Sequence, residues 1–225
     1  MSYNNGTKII AAGLINCLDG KNEKSYQSGS LIWKNLCDNY TASLVGNVTQ
    51  SIQSSSLYFT GGYLNMTTSS CPLVTSSFSV NMWMKLTDLS TYSVPLSFGG
   101  SNTFGGALSP HPNDGRGLTY YAVGYRIQDN NTNFGNLWFN VVLTGNGAAN
   151  GSRSMSMYRN SVFVGSSTFD YSFAQGLSNF VIGANQSAFG EYMRGYIGYV
   201  GIYNRALSSD EVVQNFNALK GRFSL

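Results

Sequence analysis

Between Phe78 and Leu86 the side chains alternate with a period of two, and that repeat constrains the chain more than anything else in it. Phe78, Val80, Met82, Met84 and Leu86 share one face; Ser79, Asn81, Trp83 and Lys85 share the other. A period of two belongs to the β-strand and cannot be laid on a helix without scattering the apolar groups. Residues 136–144 repeat the pattern, with Leu137, Phe139, Val141 and Leu143 opposite Trp138, Asn140, Val142 and Thr144, and Gly145-Asn146-Gly147 is expected to end that strand. Residues 155–158 and 162–164 flank Arg159-Asn160-Ser161 and read as a tight hairpin. Further strands are expected at 13–18, 56–60, 118–127, 179–183 and 196–203. Many short strands between closely spaced turns imply an all-β fold: a two-sheet antiparallel jelly-roll sandwich. With four prolines in 225 residues and no Pro/Ser-rich linker, residues 1–225 read as one domain, with 1–8 an extended N-terminal arm.

One short helix is signalled near the C-terminus. Ser208 followed by Glu211 forms a capping box, with Leu207 and Val212 at the staple positions. Asp210 and Glu211 suit the positive end of the helix dipole. Val212, Phe216 and Leu219 give one apolar stripe, Lys220-Gly221 is expected to stop the helix, and the element is expected on a sheet edge.

Composition removes several function classes. Charged residues are 10% of the chain, and thirteen Lys+Arg against ten Asp+Glu give a net charge of +3. The cations are scattered, so the reading is no nucleic acid: a backbone-tracking groove needs many on one face. The longest apolar run, 9–15, is far short of the roughly 18 residues of a membrane span, so no membrane insertion is expected. The N-terminus lacks the pattern of a secretion signal, which reads as synthesis in a host cytoplasm. Cys17, Cys37 and Cys71 are odd in number and lack metal-site spacing, so reduced, unpaired thiols are expected. The Asn-x-Ser/Thr sequons, at Asn39, Asn65 and Asn185 among others, are little more numerous than a Ser/Thr-rich chain yields by chance.

The run from Arg194 through Gly195, Ile197, Val200 and Ile202 to Tyr203-Asn204-Arg205-Ala206-Leu207-Ser208 resembles the closing motif of laminin-G-like, concanavalin A-like jelly-roll domains. Gly13-Leu14-Ile15-Asn16-Cys17-Leu18-Asp19 and Trp33-Lys34-Asn35-Leu36 are similar to that family's opening strand and turn. Phe78, Trp83 and Lys85, and the strand from Trp138 to Leu143, match two of its inner strands. The one-domain form resembles proteins common in phages and large viruses. Cys37-Asp38-Asn39 and Asn160-Ser161 depart from the family pattern, and residues 99–136 follow none of it.

The resemblance implies a fold that hosts both lectins and glucanases. Related glucanases carry carboxylates two apart on one strand, which a period of two sets beside one glycosidic bond. No two of this chain's carboxylates are two apart, and the adjacent pair, Asp210 and Glu211, is accounted for by helix capping. The only histidine, His111, lies in Ser109-Pro110-His111-Pro112-Asn113-Asp114, which reads as a rigid exposed loop. No catalytic residue is assigned, and the chain is read as not an enzyme.

The resemblance also leaves Ca2+ open, since family members bind it at the sandwich rim; no cofactor is required. Asp19, Asp38, Asp114 and Asp129 are the candidate ligands by loop position. A glycan face needs aromatic rings to stack on sugars and polar groups to bond hydroxyls. Tyr92, Phe104, Tyr120, Tyr121 and Tyr125, with Asn113, Asp114, Arg116 and Asp129, supply both in the unmatched stretch. The functional reading is a non-enzymatic, lectin-like protein of a virion surface. It would decorate a capsid or accompany a fibre in many copies, with other virion proteins and host-surface glycans as partners. The alternative is a free carbohydrate-binding lectin of cellular origin. In either case contacts are expected on loops and a sheet edge rather than in a deep pocket.

Overall fold

The computed structural model describes residues 7–38, 40–51, 54–67, 77–89, 93–100, 103–111, 116–122, 125–131, 133–147, 152–170, 179–185 and 191–225. In chain order the strands are β1 (Leu14–Asp19), β2 (Ile32–Lys34), β3 (Thr41–Ser51), β4 (Ser56–Thr67), β5 (Phe78–Leu86), β6 (Leu96–Gly100) and β7 (Thr103–His111). They continue as β8 (Arg116–Ala122), β9 (Tyr125–Gln128), β10 (Trp138–Gly147), β11 (Ser152–Arg159), β12 (Val162–Asp170), β13 (Asn179–Ile182) and β14 (Arg194–Tyr203). Helix α1 (Ser209–Leu219) runs into a 3-10 turn, Lys220–Phe223. Every described strand pairing is antiparallel.

The strands follow one hydrogen-bonded path, β12-β11-β10-β5-β14-β4-β13-β6-β7-β8-β9, with β1 on β14 and β2 on β3 beside it. The path folds over on itself, so that β12 lies against β9. The resulting jelly-roll sandwich closes around one apolar core. Phe78 of β5 meets Phe98 of β6 across it at 5.7 Å, and Phe98 in turn meets Phe180 of β13 at 5.2 Å. Strand β4 carries the chain around the corner. Its first half pairs with β14 and its second half with β13. Between them Gly61 takes φ +112°, and a side chain on Gly62 would meet the Val45 carbonyl at 2.6 Å, so only glycine turns this corner.

The outer face of β5 is buried as well. Trp83 is fully covered, stacked on Phe223 at 4.5 Å and on Phe216 at 5.5 Å. The alternation in β5 therefore separates two buried faces, one toward the core and one under α1. This places α1 across a sheet face instead of on a sheet edge, because Val212, Phe216 and Leu219 need more apolar area than an edge offers. The capping box is formed: Ser208 Oγ accepts from Glu211 N, and Glu211 reaches back to Ser208 N. The α-helix stops at its C-cap Lys220, as expected, though not through a left-handed Gly221: the chain continues as the 3-10 turn, and the left-handed residue is Ser224. Arg222 anchors this cover by donating to Asp19 at 2.6 Å and to the carbonyls of Ser55 and Gly198. The arm expected at 1–8 enters the described residues at Thr7, and its Lys8 carbonyl accepts from Gln214 of α1.

Other expectations shift. The strand expected at 118–127 is two strands, β8 and β9, paired as a hairpin. Ser109 and Pro110 are buried in β7 rather than in an exposed loop; His111 is the last residue of that strand, and Pro112, Asn113 and Asp114 lie outside the described residues. Strand β10 continues through Gly147. Trp138 is partly buried, against Phe223 at 4.7 Å. Cys17 is buried and free, Cys37 is exposed and free, and Cys71 lies outside the described residues. Among the described residues no helix is long and apolar enough to cross a membrane.

Candidate functional site

Where β9 ends, the sequence Asp129-Asn130-Asn131 turns on its own side chains. Asp129 Oδ1 accepts from Asn131 N at 3.0 Å, and Asn131 Oδ1 accepts from Asn133 N at 2.9 Å. Successive turns of this kind need short side chains with a carbonyl or carboxylate oxygen at every second position, which the run supplies. The turn is fastened to β8: Gly117 N donates to the Asp129 carbonyl at 2.7 Å, a close approach that a side chain on Gly117 would block.

Opposite it stands the β11–β12 hairpin. Asn160 and Ser161 both have positive φ, 48° and 66°, as a two-residue turn with the right twist requires. Asn160 is pinned from below, its side-chain oxygen accepting from Asn140 N at 2.8 Å. Asn140 is itself buried and donates to Asn81 at 2.6 Å and to the Met82 carbonyl at 2.9 Å. The hairpin tip is thus rigid down to the centre of the sheet.

The two turns enclose a cleft with two lobes that share Arg159 and Asn160. The first, 410 Å³, lies between Gln128, Asp129 and Asn130 on one side and Val162 and Phe163 on the other. The second, 310 Å³, is floored by Leu137, Trp138 and Phe223 and rimmed by Lys85, Asn133 and Asn136. Phe163 is 54% exposed and braced edge-on by Tyr158 at 5.4 Å, so one ring face is free. Gln128 donates to Asn130 at 2.7 Å and orients its amide. Between the lobes, Arg159 Nε meets Asp129 Oδ2 at 2.6 Å, tying the hairpin to the turn after β9.

The residues singled out by sequence fare unequally. Tyr120 is fully buried and meets Phe98 edge-on at 6.5 Å, so it belongs to the core and offers no ring to a glycan. Its neighbour Tyr121 points to the opposite face and is half-buried, while Tyr125 is 44% exposed on β9. Tyr92, Asn113 and Asp114 lie outside the described residues; Phe104 and Arg116 are placed in β7 and β8 by their backbone alone. Of the described candidate aspartates, Asp129 alone lines the cleft. Asp19 is taken by Arg222, and Asp38 accepts from Asn35 at 2.7 Å and Tyr40 N at 2.8 Å. Among the described residues no three His, Cys, Asp or Glu side chains gather as metal ligands would. Sequence reasoning passed over Arg159, Phe163, Gln128 and Asn130. The hairpin and the Asn-rich run were both visible, but nothing local said that they face each other.

The titratable groups are tuned for structure. Burial pushes the Cys17 thiol up to about 12, against a lowering contact with Tyr199, so it is no nucleophile at neutral pH. Glu211 is pulled down to about 2, first by the hydrogen bonds from Arg205 at 2.7 and 2.6 Å.

A family model described as the concanavalin A-like lectin/glucanases superfamily matches residues 60–213. Among curated proteins none matches the sequence. Domain 4 of AbnA, a GH43 extracellular arabinanase from Geobacillus stearothermophilus solved with arabinotriose, superposes with TM-score 0.67 and 19% identity, over 92% of this chain and 98% of that one. Trypanosoma rangeli sialidase with sialic acid gives TM-score 0.74 and 17% identity, over 99% of this chain and 37% of that one. The binding domain of botulinum neurotoxin DC with SialylT gives TM-score 0.61 and 17% identity, over 92% of this chain and 52% of that one. The chain therefore spans about a third of the sialidase and half of the neurotoxin domain, and nearly all of the arabinanase domain.

Proposed function

The chain belongs to the concanavalin A-like lectin/glucanase superfamily, and from that membership we propose that it is a non-catalytic, glycan-binding module. The observation that carries this reading is the cleft itself. It offers exposed Phe163 and part-exposed Trp138 as stacking rings, with Gln128, Asn130, Asn133 and Asn160 as hydrogen-bonding rims. Rings for the apolar face of a sugar and amides for its hydroxyls are the pairing that sugar recognition asks for. The arabinanase domain, bound to arabinotriose, is a relative of matching extent, which favours the same use of the fold.

Lack of catalysis is supported by how the carboxylates are spent. Asp19, Asp129 and Glu211 each hold a guanidinium, and Asp38 and Glu191 each hold an amide. A glycosidase needs two carboxyl groups facing one bond, one held protonated.

The proposal extends to place. The one-domain form with its opening at 13–19 resembles proteins common in phages and large viruses, which supports placing the module on a virion surface, made in a host cytoplasm. There it contacts capsid or fibre proteins and host glycans. Many copies on one particle turn weak single contacts into strong attachment. Glycan-array binding by the purified chain, beside a hydrolysis assay on the same sugars, tests the first part: binding without turnover is expected, and turnover overturns it. Mass spectrometry of purified particles tests the second. Detection of the chain is expected; absence from particles with glycan binding retained favours a free cellular lectin.

A further inference from the structure

Arg159 is held by one edge only. Its Nε lies 2.6 Å from Asp129 Oδ2 as an ion pair without a hydrogen bond, and the side chain is 16% exposed, so charge and burial position the guanidinium. Its Nη1 and Nη2 atoms have no protein partner among the described residues and are not sealed from solvent. A guanidinium whose Nε edge faces a carboxylate presents the remaining N–H groups as a planar fork, and that fork matches the two oxygens of a second carboxylate. Because the geometry is fixed before binding, little side-chain freedom is lost when the fork is used.

The surroundings favour the same ligand. Arg159 lines the lobe that also holds Lys85, and among the described residues no Asp or Glu side chain lines that lobe, whose wall Ser224 and Leu225 complete. Lys85 is placed by the sheet: it pairs with Trp138 on one side and Tyr196 on the other, and its ammonium lies 5.0 Å over the Tyr196 ring. The floor of Leu137 and Trp138 offers an apolar surface for the carbon face of a sugar ring, and Asn133 and Asn136 offer amides at its rim. Two cations, an apolar floor and amide rims fit an acidic sugar better than a neutral one.

We propose that the lobe between Lys85 and Arg159 is a subsite for a carboxylate-bearing sugar, a uronic or sialic acid residue, whose carboxylate is taken by the Nη fork of Arg159. This rests on the glycan-binding reading above and names the sugar class.

The test is calorimetric titration of the purified chain with matched pairs, sialyllactose against lactose and a glucuronate-containing disaccharide against its glucose counterpart. At least one acidic member is expected to bind about tenfold or more tightly than its neutral partner, the worth of one charge-assisted bond. Added salt is expected to narrow the gap. Arg159→Gln is expected to erase the preference, and Lys85→Gln, which leaves the Asp129 ion pair intact, to reduce it. Melting curves show whether each variant is folded; should Arg159→Gln fail to fold, Lys85→Gln decides. Equal binding of acidic and neutral partners, or a preference unchanged in folded variants, overturns this proposal and leaves glycan binding standing. Failure of all four sugars and of the array to bind at all overturns the glycan reading as well.

Discussion

Single residues do two kinds of work here, and the difference shows in pH and in turn geometry. Glu211 closes the capping box and also holds Arg205 by two hydrogen bonds, so folding favours its ionised form and lowers it to about 2 from the usual 4.5. A carboxylate lowered by folding contributes stability that is whole above its unfolded value and is lost as pH falls through the folded one. Urea midpoints are therefore expected to drop between about pH 4.5 and pH 2, and Glu211→Gln to flatten that limb; an unaltered limb in the variant would sink the assignment. Ser161 shows the opposite case, a residue in the left-handed region where glycine costs less. Ser161→Gly is expected to stabilise the protein by about 0.5–1 kcal/mol, seen as a rise in Tm of about 1–4 °C. A fall in Tm would show that the Ser161 hydroxyl bond to the Asn160 carbonyl outweighs backbone strain. Both sites were legible in sequence because their causes are local: Ser208 and Glu211 are three apart, and Asn160-Ser161 sits between two apolar runs.

Elements were legible where one face or one cap sufficed to define them. The strands at 78–86 and 196–203 and the helix beginning after Ser208 stand where their patterns put them. The stretch 99–136 did not yield because β6, β7 and β8 lie where the sheet is buried on both sides. Ser97, Ser109 and Thr119 are buried along with the apolar residues, and that erases the alternation a reader depends on. The position of α1 is not legible for a related reason: the sequence shows an apolar stripe on the helix but not the area waiting for it over Trp83. The 3-10 turn is the part of this cover that matters most. Phe223 stacks on Trp83 at 4.5 Å, lies 4.7 Å from Trp138, and fills the space left by Gly198. Phe223→Ala is expected to cost about 3–5 kcal/mol, since it removes a buried ring that the neighbours cannot replace. Thermal melting reads the loss; a change under about 1 kcal/mol would show that α1 seats without it.

At the scale of the whole molecule, the fold brings together two turns that are far apart in sequence and leaves an open cleft between them. Closure of the sheet path is what does this. Strands β9 and β12 approach as its two ends, and Asp129 and Arg159 join across the seam. No local pattern encodes that meeting, whereas the aromatics of 104–125 stand out in the sequence although Tyr120 among them is core. The central question is whether this seam binds sugar and leaves it uncut. The most direct measurement is equilibrium binding of the purified chain to a glycan panel, repeated with Phe163→Ala and with product analysis of every bound sugar. Phe163 is exposed, so its removal spares the core while taking away a stacking ring worth about 1 kcal/mol or more. Binding of at least one oligosaccharide is expected, weakened about fivefold or more in a Phe163→Ala variant that melts like the parent, with every sugar recovered intact. Binding untouched by that substitution, or any sugar recovered cleaved, would contradict this expectation.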